Sequence, residues 1–208
     1  MNQHLRCVVP DCHDHRTRFG LYCRPHRRRL SKYGSPTGRP LSRSFVNLPA
    51  QVRKVEALLS TNGDHPGFLR ASSEIQRLLD EAAERAKGNR PLTGPNLHWA
   101  RLANHGVTPQ AILSHVVAVI ALDRENERLF STQRALEFAI ARAVFGLAPI
   151  SRAPLGARTL EEVGRQMIDR YGDLIVSVLV ALQATADDAR KREAAMQAPL
   201  QIALPNQS

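Results

Sequence analysis

Only three cysteines occur in 208 residues. An odd number cannot pair completely within the chain, and no charged n-region followed by an apolar h-region precedes them. A disulfide framework is therefore not expected, and the reading is of a reduced, cytoplasmic protein. Aromatic residues are scarce at 5%, with tryptophan present once as Trp99. Aliphatic side chains must then fill the core, which favours packed helices over sheets. Long apolar runs are also missing. The two most apolar stretches, 111–122 and 174–182, are short and are interrupted by Ser114 and His115 or by Ser177, so neither can span a bilayer. A Gly-rich phosphate loop ending in Lys-Ser/Thr and a Gly-x-Ser-x-Gly nucleophile elbow are absent too, which removes the motif basis for a P-loop nucleotidase or an α/β-hydrolase.

What the chain has in excess is positive charge, a formal +10 at neutral pH, and it is unevenly placed. Residues 1–40 carry nine Lys or Arg against Asp11 and Asp14, a local net of +7, whereas the other 168 residues hold twenty basic and seventeen acidic side chains. The natural partner of such a segment is a polyanion. The same segment contains every cysteine. Cys7, Cys12, Cys23 and His26 stand at C-x4-C-x10-C-x2-H, and three thiolates with one imidazole form a donor set suited to tetrahedral Zn²⁺. Residues around them are rich in Arg, Pro, Gly, Asp and His and cannot bury a core of their own, so a metal is the expected staple. His26 is the favoured fourth ligand because a two-residue gap lets both donors converge at a helix start; His4, His13 and His15 lie near enough to compete. A basic helix over 24–33 should leave the metal.

Beyond this module, 41–49 reads as a linker, 50–197 as a helical domain and 198–208 as a flexible tail. Val52, Val55, Leu58 and Leu59 recur at helical spacing. A second helix carries Phe68, Leu69, Ile75, Leu78, Leu79, Ala82 and Ala86 on one stripe. A short helix over 96–104 precedes a central helix capped by Thr108 with Pro109 at its first position, running to about Arg128. Ser131 is the expected cap of the next helix, 132–145. Thr159 and Glu162 should form a capping box for a helix ending near Tyr171 and Gly172, with a last helix starting at Asp173 and turning polar at 187–193. The fold class is mainly α: a small N-terminal zinc-binding module followed by an all-helical domain.

The module resembles one carried by many phage and mobile-element proteins, often at the N-terminus of HNH-type endonucleases. That module has a CxxxxC pair, then Gly-Leu-Cys, two residues, His, and an arginine-rich turn ending in Gly-Asp-Pro. The matching residues are Cys7, Cys12, Gly20, Leu21, Cys23, His26, Arg29, Gly34, Ser35 and Pro36. Tyr22 is inserted before Cys23, Arg27 stands where an aromatic is usual, and Ser35 replaces Asp. The resemblance covers about the first forty residues and implies metal binding.

A nuclease of that kind would need a general-base His, an orienting Asn and a further metal-binding His. Asn96, His98, Asn104, His105 and His115 lie instead in helical sequence without a preceding hairpin signal. Residues 102–112 also resemble a helix-turn-helix, but the second helix is too apolar to read bases. The expectation is a non-catalytic, zinc-dependent nucleic-acid-binding accessory or regulatory protein. Arg16, Arg18, Arg24, Arg27, Arg28, Arg29, Lys32 and Arg39 would contact phosphates, on DNA in the first instance, with RNA as the other polyanion. An HNH-like nuclease and a helical adaptor of a larger nucleoprotein complex are the alternatives. A protein partner or self-association is expected through the helical domain.

Overall fold

The structure is a computed structural model and describes residues 5–18, 20–38, 47–88, 91–125, 129–149 and 155–197. Among these the protein forms seven helices and no named strand: α1 (Arg24–Tyr33), α2 (Leu48–Thr61), α3 (Pro66–Ala86), α4 (Gly94–Asn104), α5 (Pro109–Glu125), α6 (Gln133–Phe145) and α7 (Ala157–Gln197). The mainly α fold is as expected. Most of the stretch read as linker, the whole tail, Arg39 and His4 lie outside the described residues. α2 begins at Leu48, two residues inside that linker.

The centre of the helical body is α5. Ile112, Leu113, Val116, Val117, Ala118 and Val119 are all fully buried, so the helix is apolar nearly all round because neighbours cover it nearly all round. It packs against α2, α3, α6 and α7. Its start follows from chemistry legible in the chain: the Ala111 amide donates to Thr108 Oγ1 at 3.2 Å, with Pro109 at the first helical position. Burial on this scale prevents α5 from entering a nucleic-acid groove. At the far end of the body α4 is pinned to α6, where Trp99 meets Phe145 edge-on at a centroid distance of 5.4 Å.

Three boundaries differ from expectation. Ser131 does not cap α6; Thr132 does, its Oγ1 accepting from the Ala135 amide at 3.1 Å. The Thr159–Glu162 capping box does not form, because α7 already begins at Ala157 and Thr159 lies inside it. The two helices expected to meet near Gly172 are one helix of 41 residues. A helical glycine costs only about 1 kcal/mol relative to alanine. The apolar stripe Leu160, Val163, Met167, Tyr171, Leu174, Ile175, Val178 runs through that point and is buried along its whole length. Packing of the stripe outweighs the glycine.

Gly164 has a different role. It sits where α7 crosses α6, and a Cβ there would overlap the backbone carbonyl of Glu137. The two glycines therefore predict opposite outcomes. Gly172 has open space around it, so Gly172→Ala is expected to stabilise by about 0.5–1 kcal/mol. Gly164→Ala is expected to destabilise by about 3 kcal/mol through overpacking. Thermal unfolding followed by circular dichroism checks both; loss of stability in Gly172→Ala would mean that the helix breaks there.

Candidate metal centre

The N-terminal module is assembled from turns rather than regular strands. The Cys7 amide donates to the Asp14 carbonyl at 2.9 Å and the Arg16 amide to the Leu5 carbonyl at 3.0 Å, bracketing an isolated antiparallel bridge between Arg6 and His15. Between the first two cysteines, Val9-Pro10-Asp11-Cys12 folds into a tight turn, with the Cys12 amide donating to the Val9 carbonyl at 3.2 Å. Asp11 adopts φ 59°. Proline followed by a left-handed residue is the pattern of a type II turn, and Asp tolerates that conformation better than most side chains. This turn carries Cys12 back beside Cys7.

The other two donors come from the start of α1. Cys23 is its N-cap residue, and His26 lies in the first turn. The first helical bond, from the Arg27 amide to the Cys23 carbonyl at 2.8 Å, holds both side chains on the inward side. His26 Nδ1 lies 3.1 Å from Cys23 Sγ and 3.4 Å from Cys7 Sγ. Cys12 Sγ lies 3.8 Å from Cys23 Sγ. All four ligand atoms fall within 4.8 Å of one another. Bond lengths of about 2.3 Å to sulfur and about 2.0 Å to nitrogen imply tetrahedral edges of roughly 3.5–3.8 Å. The side chains are thus arranged to hold one metal ion. The 3.8 Å sulfur separation also excludes a Cys12–Cys23 disulfide. His13 and His15 are exposed and do not join the group.

Backbone amides surround the sulfurs. Those of Cys23 and Val9 donate to Cys7 Sγ, and that of His26 donates to Cys23 Sγ. Such bonds favour thiolate and orient it toward a cation. Burial raises the Cys7 thiol, but the Cys23 and Val9 amides, with His26 and Cys23 side-chain contacts, outweigh it and bring Cys7 down to about 6. Burial also raises Cys23; its amide bond from His26 does not compensate, and the neighbouring Cys12 and Cys7 sulfurs add to the rise, leaving it at about 11. Around this group Val9 is buried and Tyr22 packs against the cysteines. The extra residue Tyr22 therefore serves as part of a small apolar wall.

On the opposite side, α1 is basic. Arg24, Arg27, Arg28 and Lys32 fall at i, i+3, i+4 and i+8 and share a face, with Arg29 on its flank. All five are exposed. Arg24, Arg27, Arg28 and Arg29 make no ion pair among the described residues. Arg18 is exposed as well, and Arg16 is half-buried. The helix ends at Gly34, whose amide donates to the Leu30 carbonyl at 3.0 Å with φ 73°.

That end docks on α6, a joint not read from the sequence. Arg142 Nη2 donates to the Lys32 carbonyl at 2.7 Å, satisfying a carbonyl that the helix terminus would leave unpaired. Ser35, only 2% exposed, places its Oγ 3.0 Å from Ser131 Oγ. A Cβ on Gly34 would stand 2.7 Å from the Arg134 carbonyl oxygen. The contacts join residues about a hundred positions apart, so only a spare polar residue, Ser35 in place of Asp, hints at them. A shared hydrogen between two hydroxyls needs no counter-charge, whereas a carboxylate buried there would.

The polar residues weighed as a nuclease set are dispersed. His98 is buried in the body, with its ring 5.0 Å from that of Phe145 and its Nδ1 3.3 Å from Arg101 Nη1. Burial first, and then the Arg101 charge, hold it below the usual histidine range. His115 Nδ1 bonds the Ala111 carbonyl on its own helix. Comparison with protein-family models, with curated proteins and with solved structures finds no match.

Metal loading should be pH-dependent with a known sign. Cys23 is protonated in the metal-free protein until about pH 11, so binding must displace its proton, and affinity is expected to rise at least about tenfold per pH unit near neutrality. Below about 6, Cys7 is protonated too and the dependence steepens. Titration with Co²⁺, read by its thiolate charge-transfer and tetrahedral d–d absorption, checks the trend and the stoichiometry of one. His26→Ala should weaken binding, while His13→Ala and His15→Ala should not; the reverse pattern would reassign the fourth ligand.

Proposed function

We infer that the module holds Zn²⁺ as a structural ion and that the chain is a non-catalytic nucleic-acid-binding accessory or regulatory protein, acting on DNA. The observation that carries this reading is the geometry of α1. One side of the helix supplies two of the four converging ligands, and the other presents Arg24, Arg27, Arg28 and Lys32 to solvent. A metal there would set the orientation of a cationic face that the surrounding thirty residues are too polar to set by packing. Zinc suits the donor set because it accepts three thiolates and one imidazole tetrahedrally without redox chemistry. A closed set of four protein ligands leaves no position for substrate, which supports a structural role.

The phosphate backbone would meet Arg24, Arg27, Arg28, Arg29 and Lys32 first, with Arg16 and Arg18 on the adjoining turns. Contacts of this kind position a protein and add affinity without reading sequence. The resemblance to the N-terminal modules of phage and mobile-element proteins supports the same reading.

The test is binding of the zinc-loaded full chain to duplex DNA across a salt series, with duplex RNA of equal length alongside. Affinity should fall steeply with salt. Replacing Arg27, Arg28 and Arg29 together by Ala should flatten the log–log slope by about 3 and weaken binding at least about tenfold. An affinity indifferent to salt, or retained by the triple variant, would defeat the proposal. Preference for RNA would change the polyanion, and Mg²⁺- or Mn²⁺-dependent cleavage of plasmid DNA would move the protein to the nuclease alternative.

A further inference from the structure

The four donors are not equally sheltered. Cys7 and Cys23 are only 6% and 1% exposed, behind Val9 and Tyr22, whereas Cys12 is half-buried and meets solvent. Their sulfurs are not equally held either. Cys7 Sγ accepts from the amides of Cys23 and Val9, and its backbone is tied to the Asp14 carbonyl. Cys12 sits at the end of a tight turn closed by the bond from its own amide to the Val9 carbonyl at 3.2 Å. Its sulfur faces that of Cys23 at 3.8 Å, further than the bonded separation of about 2.05 Å but within a small movement of that turn. An accessible sulfur beside a buried one is the arrangement of an oxidisable cysteine with a resolving partner.

We propose that Cys12 and Cys23 form an oxidation site for hydroperoxides, and that their oxidation unloads the metal centre. The inference rests on the reading that the four donors hold a structural Zn²⁺. The Cys12 thiolate attacks a peroxide oxygen; an S–O bond forms, the O–O bond breaks and hydroxide leaves, giving a sulfenic acid. The Cys23 thiolate then attacks the Cys12 sulfur; an S–S bond forms and the S–O bond breaks with loss of a second hydroxide. The two thiolates give up two electrons, the peroxide accepts them, and two protons from solvent turn the hydroxides into water. Three thiolates exceed the charge of a divalent ion, so the site keeps net negative charge and Cys12 stays nucleophilic within it. Cys7 and His26 are left as two of the four donors, too few to retain the ion.

The consequence falls on α1. Cys23 is its N-cap residue and moves toward Cys12, while the far end stays joined to α6 through Arg142 and Ser35. Oxidation therefore frees the start of the basic helix without releasing the helix from the body, and reduction with resupply of metal reverses it. The helical body contains no cysteine, so the response is confined to the module.

The test uses the zinc-loaded full chain and hydrogen peroxide. Zinc release, read with a chromogenic chelator, should reach about one ion per chain and reverse with dithiothreitol and added Zn²⁺. Peptide mapping after alkylation should find Cys12 joined to Cys23, with Cys7 alkylated. Cys12→His keeps four donors but removes the accessible sulfur, and release should slow at least about tenfold. Cys7→His leaves the pair intact, and release should stay within about twofold of the unmodified rate. Mapping uses the unmodified chain, so it decides where a variant fails to load zinc. A loaded chain that keeps its ion after peroxide, a disulfide that takes in Cys7 instead, or equal slowing in both variants would each overturn the proposal. A chain that takes up no zinc defeats the structural-ion reading alone; oxidation of the metal-free chain should then still join Cys12 to Cys23, and any other pairing would overturn this inference as well.

Discussion

The structure of the N-terminal module depends on one convergence, that of Cys23 and His26 at the first turn of α1 toward Cys7 and Cys12. A helix start is a suitable place for it. The N-cap side chain and that of the third helical residue lie on the same side, and the amides freed by the helix terminus point toward the sulfurs. Cys7 arrives from the backbone pairing with Asp14, and Cys12 from the turn at Asp11. Because the inward side of α1 is committed to the four donors, its arginines have only the outward side to occupy. Ligand geometry and surface charge are therefore two consequences of one helical register.

The other end of α1 is held by a different kind of contact. Arg142 donates to the Lys32 carbonyl, Gly34 passes close to the α6 backbone, and Ser35 shares a hydrogen with Ser131. These bonds are few and polar; the Arg142 bond satisfies a carbonyl at the helix terminus, and the buried Ser35 hydroxyl meets both Ser131 and Thr37. The basic face is thereby set relative to the helical body as well as relative to the donors. Ser131 takes part in this joint, one residue ahead of Thr132, the cap of α6.

Within the body the ordering is of the usual apolar kind. α5 is buried on nearly every side, α6 and α7 cross closely at Gly164, and Trp99 locks α4 against Phe145. The stripe on α7 that meets this core is continuous across Gly172 and extends past the last supporting residue. A single helix thus belongs partly to the core and partly to the solvent.

Local chemistry was legible in the chain. The spacing of Cys7, Cys12, Cys23 and His26, the basic helix from Arg24 to Tyr33, the cap at Thr108 with Pro109, and the apolar α5 all follow from interactions between residues a few positions apart, where side-chain type and helical period suffice. The bend that brings Cys12 beside Cys7 rests on a local Pro-Asp turn. Tertiary structure decided what depends on distant partners. It started α6 at Gln133, so that Thr132 caps it, while Ser131 meets Ser35, nearly a hundred residues away. It joined two expected helices into α7 because burial of a stripe against five other helices exceeds the small local penalty of Gly172. It made Gly164 indispensable and Gly172 dispensable, although the two are alike in sequence, because only one of them faces another backbone.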